Sequence, residues 1–212
     1  MLHLLTPLGK TPEMGIKERR QREKQEVRDT ILAASWKLVK DEGWESLSIR
    51  KIADAIEYSI PVIYDHFPSK EAILVEIGKD GFKLLSRKLE RAKEKHEGSA
   101  KQLKAIAEAY WDFAEKNKEY YQLMYGVGMA GCEMENCVGD ANDFRKLITA
   151  PISDLISKGK HPKANPCLKY HTFWSILHGL IAIRMGSATA VWDQLDKLVV
   201  ADAIEGFIKN LA

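Results

Sequence analysis

The sequence predicts an all-α protein of about nine helices, with an N-terminal three-helix helix-turn-helix domain and a larger helical body. Three observations carry this. Apolar residues recur at spacings of three and four along most of the chain, as at Val27, Ile31, Ala34 and Leu38. No stretch alternates apolar and polar as a strand would; even Val199–Ile204, VVADAI, repeats helically. The periodic runs are punctuated by serine before and glycine or proline after, as helix ends are.

Residues 1–17 contain Pro7, Gly9, Pro12 and Gly15 without a period and read as a disordered leader. Residues 18–75 form the small domain. Its first helix starts near Glu18 and stops at Gly43. Ser48 is the expected N-cap of a helix over Ile49–Ile56, and Ser59 that of a helix over Ile60–His66 with Pro61 in its first turn. Phe67-Pro68 closes that helix, because the residue before proline is pushed out of the α region. Residues 76–212 make the body. A long helix begins after Ser69 and runs to about His96, loosened by Gly78 and Gly81. Ser99 starts a helix to about Lys116, and Lys118–Tyr125 continues the pattern. Residues 126–140 carry Gly126, Gly128, Gly131 and Gly139 and read as a loop or lid. Helices follow over about 142–158, 167–188 and 192–211.

Composition sets bounds on function. The 212 residues are 45% hydrophobic and 29% charged, with net charge +2, so bulk charge does not announce a nucleic-acid binder. Local charge says more: Lys17, Arg19, Arg20, Arg22, Lys24 and Arg28 face only Glu18, Glu23 and Glu26, a run that is ordinarily a solvated face or tail and that beside a DNA-binding motif can also touch phosphates. No apolar run approaches the roughly 20 residues of a membrane helix, and MLHLLTPLGK lacks the signs of a signal peptide. The expectation is a cytoplasmic protein without membrane partners. Three cysteines, Cys132, Cys137 and Cys167, fit reduced thiols better than a disulfide framework. No nucleophile–base set, phosphate loop or metal-ligand cluster is visible, so neither enzyme chemistry nor a cofactor is expected.

The chemistry concentrates in Leu47–Lys70, LSIRKIADAIEYSIPVIYDHFPSK. Two short helices joined by a tight turn pack steeply and expose the second, whose N-terminal residues can enter a DNA major groove. Ile63 and Phe67 fall on the buried side, while Ile60, Pro61, Val62, Asp65 and His66 fall on the exposed side, with Tyr64 toward the backbone. Arg50 can offer a bidentate donor pair to guanine; Ile60 and Val62 can give only apolar contact, for example to a thymine methyl.

The run SIRKIA, followed by SIPVIYDHFPSKEAIL, resembles the N-terminal domain of the tetracycline-repressor (TetR) family over roughly residues 24–75. That resemblance implies a homodimeric transcriptional regulator bound to a palindromic double-stranded operator. It implies phosphate contacts from Ser48, Tyr64 and Lys70, and places Arg50, Ile60, Pro61, Val62 and His66 in or beside the groove. Ser59, at the start of the same helix, joins the DNA-binding set. Two departures stand out: Glu57 occupies a turn position where the family usually has glycine, and Asp65 one where a neutral or basic residue is common.

For the body, the resemblance implies dimerisation through the helices at about 167–188 and 192–211. FWSILHGL resembles a W-x-x-x-H-G element of one family subgroup, carried here by Trp174, His178 and Gly179, with Gly179 allowing close helix approach. Aromatic and methionine residues around the 126–140 segment suggest a ligand pocket: Tyr110, Trp111, Tyr121, Met124, Tyr125, Met129 and Met134, with Trp174 and His178. An ordinary core is the competing reading of the same residues. The expected activity is repression relieved by a small, largely apolar or aromatic ligand. The alternative is a redox or metal sensor using Cys132 and Cys137, although their C-x4-C spacing lacks the tight zinc pattern.

Overall fold

In a computed structural model, residues 15–125, 141–186 and 194–211 are described, and among them lie nine helices and no strand. The leader expected over residues 1–17 falls largely outside them, as do the 126–140 segment, Cys132, Cys137, Met129 and Met134. The helices are α1 (Ile16–Glu42), α2 (Ile49–Ala55), α3 (Ile60–His66), α4 (Lys70–Glu94), α5 (Ser99–Lys116), α6 (Lys118–Tyr125), α7 (Ala141–Lys158), α8 (Pro166–Met185) and α9 (Gln194–Leu211). The chain forms two compact units, Met1–Lys70 and Glu71–Ala212.

In the first unit α1 packs on α2 and α2 on α3. The core is small: Ile31, Val39, Leu47, Ile52, Ala53, Ile63 and Phe67, with the Ser35 hydroxyl donating to the Ile31 carbonyl at 2.7 Å. The Arg28 guanidinium lies 4.3 Å from the centre of the Phe67 ring, which holds the end of α3 against α1. Gly43, with φ of 82°, ends α1, and its N–H donates to the Val39 carbonyl.

In the second unit α5 is the central pillar. It packs against α6, α7, α8 and α9, and buries Leu103, Ile106, Ala107, Tyr110, Trp111, Phe113 and Ala114. Gly81 on α4 has a specific purpose: a Cβ there would sit 2.8 Å from the Met124 sulfur and 3.0 Å from Tyr120 Cδ1. A glycine that loosens the helical pattern in the sequence therefore lets α6 approach α4 closely. Helix α7 carries Pro151 in its interior, at the cost of one backbone hydrogen bond. The ends of α8 and α9 are tied by an ion pair between Arg184 and the buried Asp196.

Candidate functional site

The helix-turn-helix begins with a working cap. The Ser48 side-chain oxygen accepts the Lys51 N–H at 3.3 Å. Its own O–H remains free to donate, so capping and a phosphate contact are compatible. Lys51 also reaches Glu42 at 2.6 Å, and this lysine holds the Glu42 carboxyl below its ordinary range.

Helix α2 then ends in a Schellman motif. The Tyr58 N–H donates back to the Ala53 carbonyl at 3.0 Å, and the Glu57 N–H to Asp54 at 3.4 Å. This closure needs a left-handed residue at position 57, and Glu57 has φ of 58°. The turn thus keeps the geometry in which the family usually places glycine, built here from glutamate.

Ser59 departs from its expected capping role. It stands at the N-cap of α3 in extended conformation, but its hydroxyl makes no cap bond. Pro61 has no N–H to offer, and the Val62 N–H is taken by the Ser59 carbonyl at 3.0 Å. The Ser59 side chain is exposed and uncommitted to the helix.

Helix α3 buries Ile63 completely and presents the rest of its surface. Ile60 is 42% exposed and Tyr64 53%, so neither belongs to the core of this unit. Pro61 and Asp65 are exposed, and Val62, Ser48 and Lys70 are partly so. The side chain of Arg50 is 83% exposed, held only by a loose contact of 3.9 Å to Asp54. His66 is half buried, with Nδ1 turned inward; burial, and then Lys24, lower its pKa. One edge of its ring at most can meet DNA. Sequence reasoning passed over Tyr58, which sits in the turn 45% exposed. The available signal was an aromatic residue at a turn position that no core face claims.

In the second unit, the residues expected around a ligand separate into two groups. Tyr110, Tyr121, Tyr125, Trp174 and His178 come together from α5, α6 and α8. Tyr121 Oη and His178 Nδ1 form a hydrogen bond of 2.7 Å. Trp174 stacks on His178, centroids 4.7 Å apart and planes within 10°. Tyr125 touches both Tyr121 at 4.7 Å and His178 at 4.9 Å. Phe82, from α4, closes one side edge-on to Tyr125 at 5.6 Å and was not foreseen. Burial lowers the pKa of His178 and pushes the phenols of Tyr110, Tyr121 and Tyr125 up, so the cluster is uncharged at neutral pH. Met124 is buried beside Gly81.

Trp111 lies elsewhere. One residue on from Tyr110, it is turned toward a groove of about 460 Å³ between α5 and α9, also lined by Lys104, Glu108, Lys197, Leu198 and Glu205. Among the described residues no group of three His, Cys, Asp or Glu side chains is placed to hold a metal, and Cys167 is exposed and free. No helix among them is long and apolar enough to cross a membrane.

A capped, Schellman-turned helix pair with an exposed second helix, attached to a separate helical unit, defines a DNA-binding transcriptional regulator of helix-turn-helix type. Residues 31–77 match the profile "Bacterial regulatory proteins, tetR family", and residues 103–202 match "Tetracyclin repressor-like, C-terminal domain". The chain belongs to the TetR family. It is 25% identical over 201 residues to the HTH-type transcriptional activator FasR of Mycolicibacterium smegmatis, covering 94% of this chain and 88% of FasR. Its fold resembles that of the TetR regulator PfmR of Thermus thermophilus (TM-score 0.61, 23% identity, 84% of this chain and 97% of that one). It also resembles FadR of Bacillus subtilis in complex with stearoyl-CoA (TM-score 0.66, 12% identity, 84% and 96%). These relatives are regulators, not enzymes.

Proposed function

We propose that this protein is a homodimeric repressor that leaves a palindromic operator when a small, largely apolar or aromatic ligand binds the Tyr110–Tyr121–Tyr125–Trp174–His178 cluster. The observation that carries the DNA half is the face of α3. Exposing Ile60 and Tyr64 is unfavourable for a free monomer, and with Arg50 and Ser48 nearby these residues suit a groove and its phosphate walls. With a net charge of +2, affinity rests on these placed contacts, with Lys70 and the basic side of α1, and on pairing two copies.

Support for pairing comes from α8 and α9. Helix α8 is apolar on nearly all sides, yet Leu168, Ser175, Ala182 and Ile183 are exposed, Ile183 at 71%. On α9, Leu195, Leu198 and Val199 are exposed as well. A Cβ at Gly179 or at Gly206 would meet nothing within 4 Å, which leaves room for a second copy's helices. Support for an apolar ligand is the aromatic lining; in the Bacillus subtilis FadR complex the similar fold holds stearoyl-CoA, whose acyl chain is apolar and whose coenzyme A part is charged. Its site of action would be the cytoplasm, where the DNA is. The sensor alternative rests on Cys132 and Cys137, which lie outside the described residues.

The test is binding to the DNA upstream of the protein's own gene. The Arg50→Ala variant should bind about 5- to 150-fold more weakly, the equivalent of about 1–3 kcal/mol for a lost guanine contact. Sequence-independent binding that Arg50→Ala leaves unchanged would overturn specific readout.

A further inference from the structure

Helix α1 outruns the unit it belongs to. Its buried residues are Ile31, Ser35 and Val39, and every residue from Ile16 to Glu26 is exposed. At about 1.5 Å per residue, roughly 16 Å of helix has no core to pack on. Ile16 is the one apolar residue of that arm, and it is 69% exposed.

The charges on the arm are sorted by face. At about 3.6 residues per turn, Lys17, Arg20, Lys24 and Arg28 fall within about 80° of one another, on the line that continues through the buried Ile31, Ser35 and Val39. Glu18, Glu23, Glu26 and Asp29 all lie about 100° or more from the middle of that line. The opposite face neutralises itself: Arg19 pairs with Glu23 at 3.4 Å and Arg22 with Glu26 at 3.5 Å. Among the described residues no ion pair engages Lys17, Arg20 or Lys24. Like charges three and four apart weaken a helix, so the basic line does not serve folding.

The line also has a direction. Arg28 lies over the Phe67 ring at the end of α3, and burial, then the Lys24 charge and the weaker effect of Arg28, lower the pKa of His66 beside it. Arg20 and Lys17 follow one and two turns further out. An anionic surface that meets α3 therefore meets this line next.

Building on the DNA-binding reading above, we infer that the projecting half of α1 is a second DNA contact, in which Lys17, Arg20 and Lys24 lie along phosphates flanking the base pairs read by α3, while Arg19 and Arg22 stay paired with Glu23 and Glu26 and face solvent. Lys17 to Lys24 spans about 10 Å of helix, or about three base pairs at roughly 3.4 Å each. Phosphates carry no sequence, so the arm adds affinity and register without adding base choice.

Two double variants of the full-length protein, with the same change in charge, test this: Lys17→Gln/Arg20→Gln on the basic line and Arg19→Gln/Arg22→Gln on the paired face. Binding to the upstream DNA and to unrelated duplex is followed by fluorescence anisotropy between about 50 and 200 mM salt. Each phosphate contact contributes about 0.9 to the salt slope, so a dimer that loses four should lose about 3–4 from it. In Lys17→Gln/Arg20→Gln affinity at about 50 mM salt should fall on the order of tenfold or more on both DNAs, leaving their ratio unchanged, and protection beside each α3 patch should be lost. Arg19→Gln/Arg22→Gln should keep the parent slope to within about one. Both should melt with the parent protein, because all four side chains are exposed. An unchanged slope in Lys17→Gln/Arg20→Gln, or an equal loss in both doubles, overturns the arm and leaves readout by α3 standing. A parent protein without preference for the upstream DNA overturns the operator reading instead, and the slope on unrelated duplex then still decides the arm.

Discussion

The turn at Glu57 offers a sharp test of the physical account. Glu57 sits at φ of 58° because the Schellman closure of α2 demands a left-handed residue there. A non-glycine residue pays about 1–2 kcal/mol for that conformation. Glycine would remove this cost but would lose more chain entropy on folding, about 0.5–1 kcal/mol. The Glu57→Gly change should therefore stabilise the protein by about 0.5–1 kcal/mol. For a chain of this size each kcal/mol moves the melting temperature by about 2–4 °C, giving a rise of about 1–4 °C in calorimetry. The exposed carboxylate is a confounder, so Glu57→Gln and Glu57→Ala serve as controls. Both keep a Cβ in the left-handed region and should gain nothing. If Glu57→Gln matches Glu57→Gly, charge and not backbone geometry governs the turn, and the reasoning fails.

Other perturbations follow from the same structure. Gly81→Ala drives a methyl toward Met124 and Tyr120 and should cost about 1 kcal/mol in urea unfolding even after the helix-propensity gain, with Met124→Ala in the same chain recovering part of the loss. Asp196→Ala leaves Arg184 without its buried partner and should cost about 2–3 kcal/mol, whereas replacing both by apolar residues should restore most of it. Because burial lowers the pKa of His178, the unfolded chain binds a proton more readily than the folded one; stability should fall as pH drops below the ordinary value of 6.5, and His178→Gln should flatten that part of the denaturation profile. Leu195→Glu, on the exposed apolar face of α9, should give monomers in sedimentation, while an unchanged dimer would locate the interface elsewhere.

The small domain is legible in the sequence because its boundaries are local chemistry. Ser48 caps α2 and Phe67-Pro68 closes α3, whereas a turn reshaped by Glu57 in place of glycine is not what forms, since Glu57 itself takes the left-handed conformation. Ser59 misleads because capping needs a donor as well as an acceptor. Pro61 has none, and Val62 has given its own to the backbone. The aromatic cluster is legible only as a set of residue types. Its central bond joins Tyr121 to His178, 57 positions apart, and no local period encodes that pairing. Nor does spacing alone separate Tyr110 from Trp111, neighbours in sequence that α5 turns toward different surroundings. Phe82 was missed for the same reason, since it arrives from a helix that reads as self-contained.

The central claim is that two copies of α3, held by one dimer, read one palindrome. Hydroxyl-radical footprinting of the upstream DNA tests this most directly. Two protected patches centred about one helical turn apart, roughly 34–36 Å, are expected, both weakened together in Arg50→Ala. A single patch, or uniform protection without a preferred site, would contradict it.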